Sequence, residues 1–444
     1  MQARIDYTYL RTKKAAVLQS WDRNEFRKLD TLEVWTGEDA TILPLRVYPE
    51  DKLGFGRAGV MDADGQYVEL SGIRERLQHA YPVQNPEYRD ERVIYCGYLV
   101  RQWGHFLIEA TARLWYVLKN MATTERLIFV TEEDAEYKLK GNYKEFFELL
   151  GICDRIEIIN RPIRFREVVV PQIGYNRRRF YSEGFKAVFQ HISNQIQTPS
   201  DWSACDKVYL SRAHLKGIDK RELGNKMLDN YFLNNGYRVV YPEELSLSEL
   251  ILLLRNCKEC ASISGTLPHN LLFAPDGLKL TIVERNVMNN EIQLDINKLK
   301  GLDVTYVDAN IALYPVAIGY GPFILAYNDK LEAYTKDRDY QAPDSQYLNK
   351  AYMKRCFKAY MNEYRKTYRY QWYMAEWMVP YTDYLFEAYE DGMKYYGEYM
   401  RGGNTVPFLP LFHPALLEAV CQKDSQAYKV IKKEYRSLKG TVLF

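Results

Sequence analysis

The segment SISGTLPHNLLFAPDG, Ser262 to Gly277, has a small-residue turn at Ser264-Gly265-Thr266, then His269-Asn270, then an apolar run with no charge before Asp276. It reads as a strand ending near Ser264, a tight turn at Gly265 and a short helix, TLPHNLLFAP. Thr266 is a candidate N-cap. Pro268 is tolerated in the first turn because its missing N–H would have no helical partner there. A helix start presents unpaired backbone N–H groups and a partial positive charge, which suits a diphosphate. His269 and Asn270 can add donors. Taken by itself the turn is an ordinary strand-to-helix connection, and its surroundings decide the reading.

Around this turn, strands and helices alternate. VYLSR, from Tyr209's strand to Arg212, is followed by the helical pattern RELGNKMLDNYFLNNG, with Asp219 or Asn225 as alternative caps. The strand YRVVY comes next. The helix LSLSELILLLRN carries Ser246 and Glu249 in capping-box spacing, and LKLTIVE is a last strand. Upstream, RVIYCGY, GHFLIEATARLWYVLKN, RLIFVT, YKEFFELLG, RIEII and EVVVP repeat the alternation. The expected fold class is therefore α/β, with two doubly wound, Rossmann-like units that bind ligands at the carboxyl ends of their strands. Residues 1–200 are assigned to the first unit with a leading β segment, 201–334 to the second, and 335–444 to a helical, Tyr-rich extension. In that extension Tyr352, Cys356, Tyr360, Tyr364 and Tyr368 have helical spacing, with basic residues dominating 350–369 and acidic ones 376–398. Packing against the body is favoured over contact with an anionic membrane surface.

The 444 residues carry 60 basic and 58 acidic side chains, so a nucleic-acid partner has no electrostatic support. The N-terminal MQARIDYTYLRTKK has no apolar leader pattern, and no run reaches membrane-spanning length. Cytoplasmic residence follows as the expectation, and the seven cysteines are then free thiols. Cys257 and Cys260 have CxxC spacing but no second ligand pair, so two packed thiols are expected. Asp62-Ala63-Asp64, followed by Gly65, reads as a hairpin turn rather than a metal motif.

The order VYLSR, an Arg/Asn helix, NGYRVVYPEELSLSELILLLRNC and SISGTLPHNLLFAPDGLKLTIVE resembles the catalytic domain of glycosyltransferase family 61, bacterial surface-polysaccharide type, over roughly residues 207–284. A weaker echo lies upstream at GHFLIEATARLW. The resemblance implies a GT-B-like fold of two facing units and an inverting glycosyltransferase that uses a nucleotide-diphosphate sugar, with UDP the first choice. The family's His-Gly pair is Ser264-Gly265 here, its Asn-Glu is Asn225-Lys226, and Glu109 keeps a carboxylate of the upstream motif.

Glycosyl transfer needs a base and stabilisation of the departing diphosphate. His105, Glu109 and Arg113 are spaced to form one helical stripe, with His105 or Glu109 as the base and Arg113 in support. Arg212, Asn225, Lys226, Gly265, Thr266, His269 and Asn270 are the donor-binding candidates, and Glu243 supports the base and ribose region near residues 241–245. No metal and no further cofactor are expected. The expected acceptor is a glycan or lipid-linked glycan, with peripheral contact at the inner membrane through the C-terminal helices; oligomeric state is left open. The alternative is a catalytically inactive nucleotide-sugar- or polysaccharide-binding scaffold, favoured by Lys226 and the lost histidine.

Overall fold

The computed structural model describes residues 3–48, 56–72, 79–200, 202–203, 205–286, 290–311, 321–349 and, beyond these, 351–353, 355–356, 359–360 and 363. The basic and acidic runs expected in the extension lie mostly outside the described residues. Tyr352, Cys356 and Tyr360 do fall on helical backbone.

Two six-stranded sheets organise the chain. The first has the spatial order Arg57–Met61, Val34–Arg46, Ile163–Pro171, Glu87–Tyr98, Arg126–Val130, Ile156–Ile159. Its last four strands are mutually parallel, and the first two run antiparallel at one edge. The second sheet has the order Arg4–Tyr9, Asp303–Asp308, Lys279–Glu284, Glu259–Ile263, Lys207–Leu210, Arg238–Val240, and every pairing in it is parallel. The near-continuous apolar reading of Glu259–Ile263 and Lys279–Glu284 is what strands buried on both faces require.

The membership of Arg4–Tyr9 departs from the expected division. This strand was assigned to the unit of residues 1–200, but it pairs with Asp303–Asp308 at the edge of the second sheet. The helix Thr12–Asp22 follows it there. The pattern 221–236 also departs from one continuous helix. It resolves into Ile218–Arg221, a short strand Glu222–Leu223 and the helix Asn225–Asn234. Gly217 and Gly224, both with positive φ, occupy the N-cap positions, so neither Asp219 nor Asn225 caps. A Cβ at Gly224 would lie 2.1 Å from the Leu325 carbonyl oxygen, which leaves room only for glycine.

Other local readings stand as expected. The capping box of Ser246 and Glu249 is formed. Cys257 and Cys260 are buried free thiols between the helix Leu247–Asn256 and the strand Glu259–Ile263. Asp62 closes a turn by accepting from the Asp64 and Gln66 amides.

One apolar core joins the sheets. Phe106, Phe146, Phe147 and Phe189 from the first half pack with Leu247, Ile251, Leu272, Phe273, Ile296 and Leu299 from the second. Glu145 adds a polar joint by accepting from the Leu247 and Ser248 amides at 2.8 Å each, where unpaired N–H groups and the helix dipole favour a carboxylate. Among the described residues, no helix is long and apolar enough to cross a membrane.

Arg113 shows how local geometry overrides spacing. The backbone from Phe106 to Ala110 is a π-turn, and the following α-helix starts only at Leu114. The wider turn rotates Arg113 off the stripe expected from 3.6-residue periodicity. Its fully buried guanidinium donates to the carbonyls of Pro171 (2.9 Å), Leu70 (2.6 Å) and Gly72 (2.7 Å). Arg113 therefore clamps the first sheet and does not support Glu109. Replacing it with Met strands these carbonyls, and Arg113→Met is expected to cost roughly 3 kcal/mol in urea unfolding. A loss under about 1 kcal/mol would mean the clamp is not formed.

Candidate active site

Three adjacent parallel strands bring the anion-binding candidates to one edge. Leu210 is level with Ser262, and Val283 with Ile263. Two residues on, Arg212, Ser264-Gly265 and Arg285 leave the sheet side by side. Gly265 has φ +131°, and a Cβ there would meet Arg285 Nη2 at 2.8 Å and Arg212 Nη1 at 3.6 Å. The positive φ and the crowding by the Arg285 guanidinium both favour glycine here.

Both arginines converge on Glu222. Arg285 Nη1 is paired with its carboxylate, and Arg212 Nε lies 3.2 Å from the same Oε1. Asn225 Nδ2 is 3.5 Å from the other oxygen. Burial disfavours the charged form of both arginines, and for Arg285 the neighbouring Arg212 adds to this. Neither Arg285 nor Glu222 was among the residues expected from sequence. A signal for Arg285 was present: it ends LKLTIVE just as Arg212 ends VYL.

On the opposing turn, His105 Nδ1 lies 2.8 Å from Glu109 Oε1, with His105 partly exposed and Glu109 mostly covered. The π-turn keeps these two together while it removes Arg113. The short helix Trp103–His105 packs directly on the turn of the second sheet. A Cβ at Gly104 would sit 2.6 Å from Thr266 Cγ2 and 2.9 Å from His269 Nδ1. Trp103 Nε1 donates to Asn270 Oδ1 at 2.8 Å. Asn290 completes the seam: its Nδ2 donates to the Gly265 carbonyl at 2.7 Å and lies 3.1 Å from His269 Nε2. Gly104, the residue before His105, thus lies directly against Thr266 and His269.

Several predicted residues have different duties from those expected. The helix after Gly265 is a seven-residue 3₁₀ segment, Leu267–Phe273, and Thr266 makes no side-chain cap. Its dipole is correspondingly small, so the strong helix-mouth argument does not hold. His269 and Asn270 are buried in the seam, where they join the two halves. Lys226 is exposed in the first turn of its helix, and its charge acts on the half-buried Asp229. Glu243 interacts electrostatically with Arg212. Beside it, His214 stacks on Tyr241 with centroids 3.5 Å apart and lies 2.6 Å from Glu244 Oε1. Among the described residues, no group of three or more His, Cys, Asp or Glu side chains is placed to hold a metal ion.

Two buried groups at the seam titrate in opposite senses. Burial, with the nearby His105 second, pulls His269 from 6.5 down to about 4. Burial pushes Asp295, which accepts from Tyr175 Oη and the Arg178 amide at 2.8 Å each, from 3.8 up to about 6. As pH falls from 6.5 to 4, the unfolded chain protonates its histidine before the folded one, and stability falls. Over nearly the same window the folded chain protonates Asp295 before the unfolded one, and stability rises. The contributions largely cancel. Asp295→Asn removes the second, so the variant is expected to lose on the order of 3 kcal/mol across this window that the wild type retains. Urea unfolding at a series of pH values reads this, and equal slopes for the two proteins would contradict the assignment.

No curated protein matches the chain. Residues 103–281 match the family model described as Glycosyltransferase 61. That span begins at Trp103 in the seam, takes in His105 and Glu109, and continues through Arg212, Glu222 and Gly265 into the strand Lys279–Glu284. Over residues 103–281 the chain is thus similar to glycosyltransferase family 61.

Proposed function

We propose that the protein is an inverting, metal-independent glycosyltransferase that moves a sugar from a nucleotide-diphosphate donor to a glycan hydroxyl in bacterial surface-polysaccharide synthesis. The observation that carries the reading is the Gly265 turn beside Arg212 and Arg285, a half-buried and a buried cation sharing the single carboxylate of Glu222. An arginine fork recognises phosphoryl oxygens with directed N–H groups, and low-dielectric surroundings strengthen that attraction. The two sheets act as facing GT-B lobes, residues 201–334 with the N-terminal strand binding donor and the rest of the first 200 residues binding acceptor. UDP is the first candidate nucleotide, with its base near Tyr241 and Glu243. A lipid-linked acceptor at the cytoplasmic face of the inner membrane fits this scheme.

In the reaction, the acceptor oxygen forms a bond to the anomeric carbon while the bond from that carbon to the diphosphate oxygen breaks. The leaving group departs with its electron pair and is stabilised by Arg212 and Arg285. Glu109 or His105 takes the acceptor proton, each orienting the other through their 2.8 Å contact. The seam of Gly104, Thr266 and His269 sets the distance between base and leaving group.

A second reading, a binding protein without turnover, is favoured by Ser264 and Lys226 standing where the family has His and Glu. Transfer and hydrolysis assays over a panel of nucleotide sugars separate the two. Turnover is expected to persist in EDTA. Glu109→Gln should abolish turnover but keep donor affinity, and Arg212→Ala should weaken donor binding about a hundredfold. Binding without turnover for every donor would favour the scaffold. Turnover lost in EDTA and restored by manganese would overturn the metal-free scheme.

A further inference from the structure

The donor-side arginines stand on an ion network that reaches outside the matched region. At the start of the helix Thr12–Asp22, the fully buried Lys14 places Nζ 2.9 Å from Glu284 Oε2 and donates to the Asn286 carbonyl at 2.7 Å. Glu284 and Asn286 are the two neighbours of Arg285. One ammonium group therefore holds the side chain on one side and the backbone on the other side of the arginine next to Gly265. Arg11, three residues earlier, pairs with the buried Asp308 and donates to the Asn310 carbonyl at 2.6 Å. This ties down the end of the neighbouring strand, whose Ala309 amide in turn donates to the Glu284 carbonyl at 3.2 Å. The Ser264 hydroxyl joins the same network, accepting from the Arg285 amide at 3.2 Å and bonding Glu284.

Charge sharpens the point. Arg11, Lys14, Arg212 and Arg285 are four cations that meet the carboxylates of Glu222, Glu284 and Asp308, and Arg212 also interacts with Glu243. Buried charges are tolerated when paired, so a loss of one partner disturbs the groups it holds.

We propose that Lys14, with Arg11 beside it, is a positioning residue for donor binding: it fixes Arg285 toward Gly265 from outside the matched region, so that the N-terminal segment completes the diphosphate site. This rests on the diphosphate reading of the same arginines. Lys14 touches no substrate. It acts by holding the geometry that a diphosphate meets, and a small displacement of a binding group is enough to lose affinity.

Calorimetric titration of the full chain with UDP tests this, because it reads the dissociation constant and the fraction of competent protein separately. Lys14→Met alone leaves Glu284 buried and uncompensated and is expected to unfold readily. The paired variant K14M/E284Q removes both charges and keeps the volume, so it carries the test. The wild type is expected to bind UDP with one site per chain. K14M/E284Q is expected to keep its stoichiometry and melt as one transition, with a dissociation constant raised about tenfold or more. A variant with wild-type affinity but fewer competent molecules would overturn the positioning role and leave Lys14 a support of folding alone. Wild-type protein that binds neither UDP nor inorganic pyrophosphate would overturn the diphosphate reading itself, and this inference with it.

Discussion

The close approach of Gly104 to Thr266 and His269 is the contact on which the candidate site depends. Two six-stranded sheets can face each other in many ways, but here a backbone without a side chain lies directly on the turn of the other half. Trp103 and Asn270 fasten one side of the contact and Asn290 the other. Because His105 and Glu109 follow Gly104, and Gly265 precedes Thr266, this one approach joins the two segments that carry the proposed base and the proposed diphosphate site. The shared core of Phe106, Phe146, Phe189, Leu272 and Phe273 makes the approach rigid.

Electrostatics at the second sheet's edge follow from burial. Guanidinium and ammonium groups removed from water are held only by well-placed partners, and each cation of the network has a carboxylate or carbonyl at short range. Glu222 is drawn into the same place by the short sheet it shares with Phe323–Leu325 and by Gly224 passing under Leu325. The site is thus assembled from chain segments far apart in the sequence.

Much of this was readable in the sequence where the signal is local. The capping box at Ser246, the turn at Asp62, the packed thiols at Cys257 and Cys260 and the strand ending in Arg212 each depend on a few neighbouring residues. What was not readable is non-local or a matter of helical phase. Nothing near Arg4–Tyr9 announces a partner almost 300 residues away, and Lys14 and Arg11 were unassigned for that reason. The π-turn at Phe106–Ala110 shifts the phase within one turn, which spared the pairing of His105 with Glu109 and misdirected Arg113. The 3₁₀ geometry after Thr266 likewise needed the packing of Trp103 to be known.

The account stands most directly on where a diphosphate binds. A crystal structure of the protein grown with UDP is predicted to show both phosphoryl groups at the Gly265 turn, contacted by Arg212 and Arg285, with His105 and Glu109 facing them across the seam. Density for the diphosphate elsewhere, with Arg285 still closed on Glu222, would contradict it.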